Sequence, residues 1–334
     1  MSNKRELGQY FTQENPFTHP LFQEWMSNIG NITTVIEPFA GANNILRLIK
    51  ESGYDLDWAC FDIDPPKENT YPKYNVEQKD TLADFPKGYD ICITNCPYLG
   101  KSSARRRKID YPWEEDDLYK VSLRIMLENC KYVAVIIPES FITANIHMNR
   151  LWGVISLNCK MFDDTECPVC LAMFTPEGQN NIPIWNNDEY LGYLNELQSL
   201  DITGKTSDVH WVFNDKDGSI GVKTVDSGQK ADCEFFEGEK IPSESIKVSS
   251  RSFTRVSGLP DDIDRKEFLK ECNIILADYR EKTKDVLMTS FKGLRKDGKY
   301  RRRLDFKTVK SILNIAIKRF GRTDKNEFCG VLFD

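Results

Sequence analysis

Between about residues 31 and 175 the chain alternates short β-rich runs with helix-like segments, and this alternation limits its fold more than any other feature. The runs at 33–36, 58–63, 90–94, 132–137 and 169–174 are apolar and short, whereas 43–51 and 118–129 carry apolar residues at helical spacing. Strands that alternate with helices are joined by crossovers, which make neighbouring strands parallel and lay helices on the sheet faces. The expected fold is a doubly wound α/β sheet. At 334 residues the chain exceeds the size at which one core usually stops growing, so a second domain is expected. The polar breaker Gly178-Gln179-Asn180-Asn181-Ile182-Pro183 sets the expected boundary, giving domains 1–178 and 179–334. The second reads as a smaller α+β module with short strands at 209–213 and 246–248 and helices near 265–287 and 307–320. No internal repeat or low-complexity tract is present.

The first strand ends in Glu37-Pro38-Phe39-Ala40-Gly41-Ala42-Asn43 before a helix-like run, the layout of the first turn of a nucleotide-binding βαβ unit. Gly41 allows close backbone approach, and asparagine at position 43 is one of the few side chains that tolerates the left-handed region. About twenty residues on, Phe61-Asp62-Ile63-Asp64-Pro65 closes another strand, where a carboxylate suits two ribose hydroxyls. Asp62 is preferred to Asp64 for that contact. Asp80 and Thr81 precede the strand at 90–94, and by its residue type Asp80 can cap a surface turn.

That strand delivers Asn95-Cys96-Pro97-Tyr98. The Asn95 side-chain oxygen can accept one hydrogen bond, and the Cys96 carbonyl, deprived of a helical partner by Pro97, a second beside it. Tyr98 adds a flat ring. Two acceptors beside a stacking face suit a planar heterocycle with an exocyclic amino group, adenine above all. The same four residues can also form an ordinary turn after a strand.

The tetrapeptide resembles the Asn-Pro-Pro-Tyr signature of S-adenosylmethionine-dependent amino methyltransferases, with Cys96 in place of the first proline. Gly8-Gln9-Tyr10-Phe11-Thr12 resembles the N-terminal cofactor motif of the gamma-type DNA adenine methyltransferases, and Asn43 stands where those relatives usually carry a second glycine. The order of motifs is that of the gamma group, as in restriction-modification enzymes. The run 132–141 is similar to the family's next strand, and Phe162 to the aromatic that closes the other side of the base pocket. The resemblance covers about the first 175 residues. It implies a Rossmann-like methyltransferase sheet with a C-terminal target-recognition domain, S-adenosylmethionine as cofactor and methyl transfer to N6 of an adenine flipped out of duplex DNA. Gln9, Tyr10, Thr12, Glu37, Pro38, Phe39, Ala40, Gly41, Asn43, Asp62, Ile63, Asp80, Thr81 and Asn95 are the implied cofactor contacts. Asn95, Cys96, Pro97, Tyr98 and Phe162 form the implied catalytic set. Implied partners are double-stranded DNA and a cognate restriction nuclease. An RNA adenine or protein glutamine methyltransferase would use the same tetrapeptide, and a non-catalytic DNA-binding protein on this scaffold could carry Cys96 and lack the second glycine through decay.

Net charge is −6, yet the basic residues cluster. Lys101, Arg105, Arg106, Arg107 and Lys108 follow the tetrapeptide, and residues 291–322 hold twelve Lys or Arg against two acids, including Arg295, Lys296, Arg301, Arg302 and Arg303. Local field rather than total charge guides a polyanion, so both runs are expected to contact DNA phosphates; each could instead be a solvated face. No apolar run approaches eighteen residues and the charged start is not a secretory signal, so a soluble protein in the cytoplasm, or wherever DNA is kept, is expected. Of ten cysteines, Cys60, Cys92 and Cys170 sit in apolar runs as reduced packing thiols. Cys167 and Cys170 have metal-ligand spacing but no second such pair, and only three histidines are available, so no metal is expected.

Overall fold

The computed structural model describes residues 15–30, 34–159, 161 and 166–321. The chain divides into two compact units, residues 1–196 and 197–334. The first contains a nine-stranded mixed sheet. Helix α1 (Pro20–Ile29) precedes β1 (Thr34–Glu37), which is followed by α2 (Asn44–Glu51), β2 (Asp57–Asp62), β3 (Val76–Gln78) and β4 (Ile91–Asn95). Helices α3 (Lys101–Arg107) and α4 (Leu118–Asn129) lead to β5 (Tyr132–Pro138), β6 (Leu151–Leu157), β7 (Val169–Phe174), β8 (Pro183–Asn186) and β9 (Glu189–Tyr193). The sheet order is 3-2-1-4-5-7-6-8-9. Strands β1 to β5 run parallel, and β7 lies antiparallel between β5 and β6. This is the α/β Rossmann-like sheet expected.

Its middle strands are buried on both faces, as their unbroken apolar sequences require. All of β6 and β7 is buried. Helix α1 lies against this region through fully buried Trp25, whose indole N–H donates to the Phe174 carbonyl at 3.2 Å. The turn at 178–183 is not where the units divide: β8 pairs in parallel with β6, so the sheet continues past the polar breaker to β9, and the division falls within helix α5 (Leu194–Ser199).

The second unit has a four-stranded antiparallel sheet formed by β10 (Val212–Phe213), β11 (Ile220–Lys223), β12 (Glu234–Glu237) and β13 (Phe253–Ser257), ordered 10-13-11-12. Helix α6 (Arg265–Thr283), the hairpin β14 (Thr289–Leu294) and β15 (Tyr300–Arg303), and helix α7 (Phe306–Phe320) follow. Both helices start on an aspartate cap: Asp264 accepts from the Glu267 N–H and Asp305 from the Thr308 N–H. Phe268, Cys272, Ile275, Leu276 and Tyr279 make one stripe of α6 and pack with Val309, Ile312 and Leu313 of α7 on Ile220, Val222, Phe235 and Val256 of the sheet. The expected strand at 246–248 is absent. Those residues lie in the loop before β13, with Val248 97% exposed.

A buried ionic network at Asp226 overturns part of the charge reading. The Asp226 side chain is fully buried and accepts both Arg280 Nη atoms at 2.9 Å, Arg295 Nη1 at 3.0 Å and the backbone N–H groups of Asp232, Cys233 and Arg302. Arg295 also pairs with Asp297, and Arg301 donates from Nε to the Asp226 carbonyl at 2.7 Å while its guanidinium covers the Phe291 ring. Arg302 is buried and bonds Ser290 Oγ. Arg295 and Arg302 are therefore internal, and Arg301 is engaged from within. Burial of a charge demands a partner, and two cations here, Arg280 and Arg295, share acids of their own unit. Arg303 is half-buried and Lys296 exposed.

The network holds the Asp226 carboxyl well below the usual range through its Arg280 pair and backbone donors, which outweigh the opposing effect of burial. Asp226→Ala takes the shared carboxylate from Arg280 and Arg295, leaves them Asp285 and Asp297, and should cost about 3 kcal/mol in urea unfolding at pH 7. Because the folded carboxyl titrates lower than the unfolded one, its contribution is complete above about pH 4 and fades as pH falls further. The gap between wild type and variant should therefore narrow in acid; a constant gap would assign the loss to packing alone.

Candidate active site

Strand β1 pairs on one side with β2 and on the other with β4. The chain leaves β1 outward through β2 and β3, then returns to β4, so connections diverge between β1 and β4. In open α/β sheets ligands bind in the crevice at the carboxyl ends of such diverging strands. Glu37 ends β1 and Asn95 ends β4, so the two sequence motifs open from the same crevice.

The loop after Glu37 is held from several sides. Gly41 (φ 49) and Asn43 (φ 63) both adopt left-handed backbone, as expected for these types. The Gly41 N–H donates to Asp62 Oδ2 at 2.8 Å, and the Asp64 N–H to Asp62 Oδ1 at 2.9 Å. Asp62 is only 3% exposed, so its carboxylate anchors the loop rather than standing open for ribose hydroxyls. Next to it Ile63 is 44% exposed, an apolar shelf at the crevice. Thr81 Oγ1 donates to the Pro38 carbonyl at 2.9 Å. Asp80 takes the turn role: its Oδ1 accepts the Leu82 and Ala83 N–H groups at 3.0 and 3.2 Å.

Asn43 does what glycine could not. Its Nδ2 donates to Asn69 Oδ1 at 3.0 Å and to the Tyr74 carbonyl at 2.9 Å, while Thr70 bonds the Ala42 carbonyl through both N–H and Oγ1 at 2.8 Å. The segment 69–74 is thereby fastened to the loop. Two buried oxygens of this region, Glu37 Oε2 and Asn43 Oδ1, have no hydrogen-bond partner among the described residues.

Glu37 is fully buried, and its Oε1 accepts the Phe39 N–H at 3.1 Å and the Thr94 hydroxyl. Burial pushes its carboxyl up to about 8, against the pull of those two hydrogen bonds, and the nearby Asp62 charge adds to the rise. At pH 7 Glu37 is therefore mostly neutral. With Oε1 accepting twice, the proton belongs on Oε2.

Asn95 is half-buried, whereas Cys96, Pro97 and Tyr98 are buried. The Tyr98 hydroxyl lies against Asn95 Oδ1 and 2.9 Å from the Ile136 carbonyl, so one proton is shared between two acceptors. The open stacking face expected of Tyr98 is not present, since the ring is 8% exposed and its hydroxyl is satisfied inward, as buried tyrosines require. Cys96 is 2% exposed, its Sγ 3.9 Å from the Ile136 carbonyl, and burial raises the thiol well above its ordinary value. It packs as a small apolar side chain. Gln9, Tyr10, Thr12 and Phe162 lie outside the described residues.

After the tetrapeptide, α3 carries Arg105, Arg106 and Arg107 in its last turn and ends on Lys108 in left-handed conformation; all four are exposed. Lys101 is not available as a phosphate contact. Its Nζ donates to the Trp113 and Glu114 carbonyls at 2.8 and 3.2 Å, pinning the next loop. Thr94, Asn69 and Tyr74 were missed at the sequence level; a lone threonine between Ile93 and Asn95 in an apolar strand was the available signal. Glu139, 3% exposed at the end of β5 and bonded to Ser156 Oγ, was also missed as a polar centre on this edge. No group of three His, Cys, Asp or Glu side chains is arranged to hold a metal ion among the described residues, and no described helix is long and apolar enough to cross a membrane.

No protein-family model and no curated protein matches the chain. Solved structures do resemble it in part. A methyltransferase subunit of a type I restriction-modification system from Streptococcus thermophilus is 12% identical over 57% of this chain and 52% of its own, with a TM-score of 0.37. The type IIG restriction endonuclease BpuSI is 12% identical over 54% and 27%, with a TM-score of 0.39. The human methyltransferase 10 domain containing protein is 10% identical over 52% and 92%, with a TM-score of 0.32. At these values the likenesses carry no argument about activity, which rests on the residues themselves.

The raised Glu37 carboxyl gives a pH test. An acid that titrates near 8 when folded and near 4.5 when unfolded penalises the folded state increasingly as pH rises between those values. Glu37→Gln removes the charge but keeps the shape. It should be about as stable as wild type near pH 5 and more stable, by a few kcal/mol at most, near pH 8.5. Thermal melts across that range would show it; parallel curves would mean Glu37 ionises without penalty.

Proposed function

We propose that this protein is an S-adenosylmethionine-dependent methyltransferase that modifies N6 of adenine in duplex DNA, as the modification enzyme of a restriction-modification or related system. The observation that carries the reading is the meeting of the Glu37–Asn43 loop and the Asn95–Tyr98 tetrapeptide at one crevice, bridged by the Glu37 contact to Thr94. The loop fits such a cofactor. Among the described residues, protonated Glu37 Oε2 lacks an acceptor and Asn43 Oδ1 lacks a donor, and a ligand that carries both kinds of group supplies what they lack. Ile63 and half-buried Phe39 provide apolar surface beside them, and Asp80 Oδ2 faces no partner among the described residues.

When bound, S-adenosylmethionine supplies a methyl group already activated by its sulfonium. The chain's task is then to hold the acceptor nitrogen. N6 of adenine is a weak nucleophile because its lone pair is delocalised into the ring. Hydrogen bonds from N6 to Asn95 Oδ1 and the Cys96 carbonyl favour a tetrahedral nitrogen as positive charge develops there, a fixed-dipole stabilisation of the transition state. The Tyr98 hydroxyl now lies against that same Asn95 oxygen, so the adenine amino group would displace it, leaving the Ile136 carbonyl to accept the tyrosine proton. The base must first leave the helix, at a cost of a few kcal/mol. Exposed Arg105, Arg106 and Lys108 on α3, within ten residues of Tyr98, suit the phosphates around it. A cognate nuclease belongs to the same reading.

Incubation with S-adenosylmethionine and duplex DNA, followed by sequencing for methyladenine, tests the proposal, with RNA and protein as parallel substrates. Asn95→Ala should lower single-turnover methylation about 100-fold or more while cofactor affinity changes little. Tyr98→Phe, which removes the competing hydroxyl, and Cys96→Pro, which keeps the carbonyl, should both remain active. A wild-type rate in Asn95→Ala would end this mechanism. Neutralising Arg105, Arg106 and Lys108 together should flatten the salt dependence of DNA binding by about 0.9 per lost phosphate contact.

A further inference from the structure

If the second unit contacts DNA, Arg295 and Arg302 cannot be the means, since Asp226 and its neighbours hold them inside. Its central sheet offers another surface. Register puts Gly221 of β11 opposite Phe236 of β12 and Arg255 of β13, and Lys223 opposite Phe253. Paired residues of antiparallel strands share a face, so Phe236 and Phe253 lie on the face away from the Ile220, Val222 and Val256 core. Gly221 leaves the floor flat. A Cβ there would lie 2.8 Å from the Phe236 ring, which therefore lies across the glycine.

Arg255 builds the wall of this surface. It is 7% exposed and donates to the Gly218 carbonyl and to Ser243 Oγ, each at 2.8 Å, tying the segment near Ser243 down over the sheet. Asn214 holds the opposite segment through the Val248 and Ser250 carbonyls at 3.0 and 3.2 Å. Between them opens a cleft of about 430 Å³ whose lining includes Phe236, Phe253, Lys240 and Arg251, three serines and no carboxylate. Lys240 shares its charge with Glu237 just outside, at 2.6 Å, whereas exposed Arg251 has no carboxylate partner among the described residues. Phe253 is 45% exposed, a large ring left facing water.

We propose that this cleft binds one unstacked nucleotide of a nucleic-acid strand, its base against Phe253 and Phe236 and its phosphate at Arg251. The volume lies in the range of small-ligand sites. An aromatic floor beside a cation without an acid is the chemistry of a stacked base with its phosphate, and it accepts any base because each has a π-face. The inference rests on the nucleic-acid reading above and gives it a second contact, far in sequence from Asn95 and outside the proposed catalytic machinery.

The test uses the full chain and a 12-nucleotide single-stranded DNA, alone and annealed to its complement. Photocrosslinking of a strand carrying 5-iodouracil, mapped by mass spectrometry, should mark Phe236 or Phe253 in the wild type. Phe253→Ala should weaken single-strand binding about 10- to 100-fold. Arg251→Gln should lower the salt slope by about 0.7. Both positions are exposed, and unchanged melting curves would establish that the variants fold. Crosslinks at these rings with no methyl transfer to any DNA would support the cleft and end the enzymatic reading. Methyl transfer by wild type with unchanged binding in both variants would overturn the cleft and leave the enzyme standing. A self-association lost in Phe253→Ala, with DNA binding intact, would overturn it in favour of a second copy of this chain.

Discussion

A carboxyl group buried at the end of β1 and bonded to Thr94, one residue before the end of β4, fixes the relation on which the proposed chemistry depends. Parallel pairing brings Glu37 and Thr94 together, and the next residue after Thr94 is Asn95. Any shift in the register of β1 against β4 would separate the loop that carries Gly41 and Asn43 from the amide at the head of the tetrapeptide. Glu37 can serve there only because it is mostly neutral at pH 7; an ionised carboxylate would leave Oε2 as a buried charge with nothing to pair it.

The two units meet the cost of a buried carboxyl in opposite ways. Glu37 has two hydrogen-bond donors and no cation among the described residues, and burial drives it neutral. Asp226 is as deeply buried but has two guanidinium groups and three backbone donors, which keep it ionised. Removing charge leaves a group free to bond a ligand, whereas pairing it spends every lone pair on the protein itself. The first arrangement belongs to a site and the second to a core, which is why Arg295 and Arg302 are structural although their sequence neighbourhood is so basic.

The sheet was legible where sequence period and burial agree. Strands β1, β2, β4, β5 and β7 and helix α4 lie where unbroken apolar runs and helical spacing put them. Strand β6 was missed although wholly buried, because Gly153 breaks its β-rich run; a side chain there would meet Leu21 Cδ2 at 3.1 Å, a packing reason invisible to local pattern. Strands β11 to β13 are short and set charged residues among the apolar ones on a face that bears the cleft, so no simple alternation marks them. At the candidate site, residue types forecast conformation well, as at Asn43, but not which partner each polar group would choose. Asp62, Asp80 and Lys101 each found backbone within their own region, and local backbone groups compete for a short polar side chain before any ligand does.

The two departures from the motifs that the sequence resembles have different physical characters, and neither is a loss. Glycine at position 43 would supply left-handed backbone but no amide; asparagine supplies both, and its Nδ2 fastens the segment 69–74 that would otherwise need another anchor. At position 96 the side chain sits inside the protein, 2% exposed, while the atom the proposed chemistry uses belongs to the backbone. A thiol whose pKa burial raises so far stays protonated and behaves as a small apolar group. A decaying scaffold would be expected to leave voids or unpaired groups where its motif residues had been replaced. Instead the amide nitrogen of Asn43 is fully engaged and Cys96 is packed, and the unsatisfied oxygens that remain, on Glu37 and Asn43, lie in the loop that the proposed cofactor would occupy.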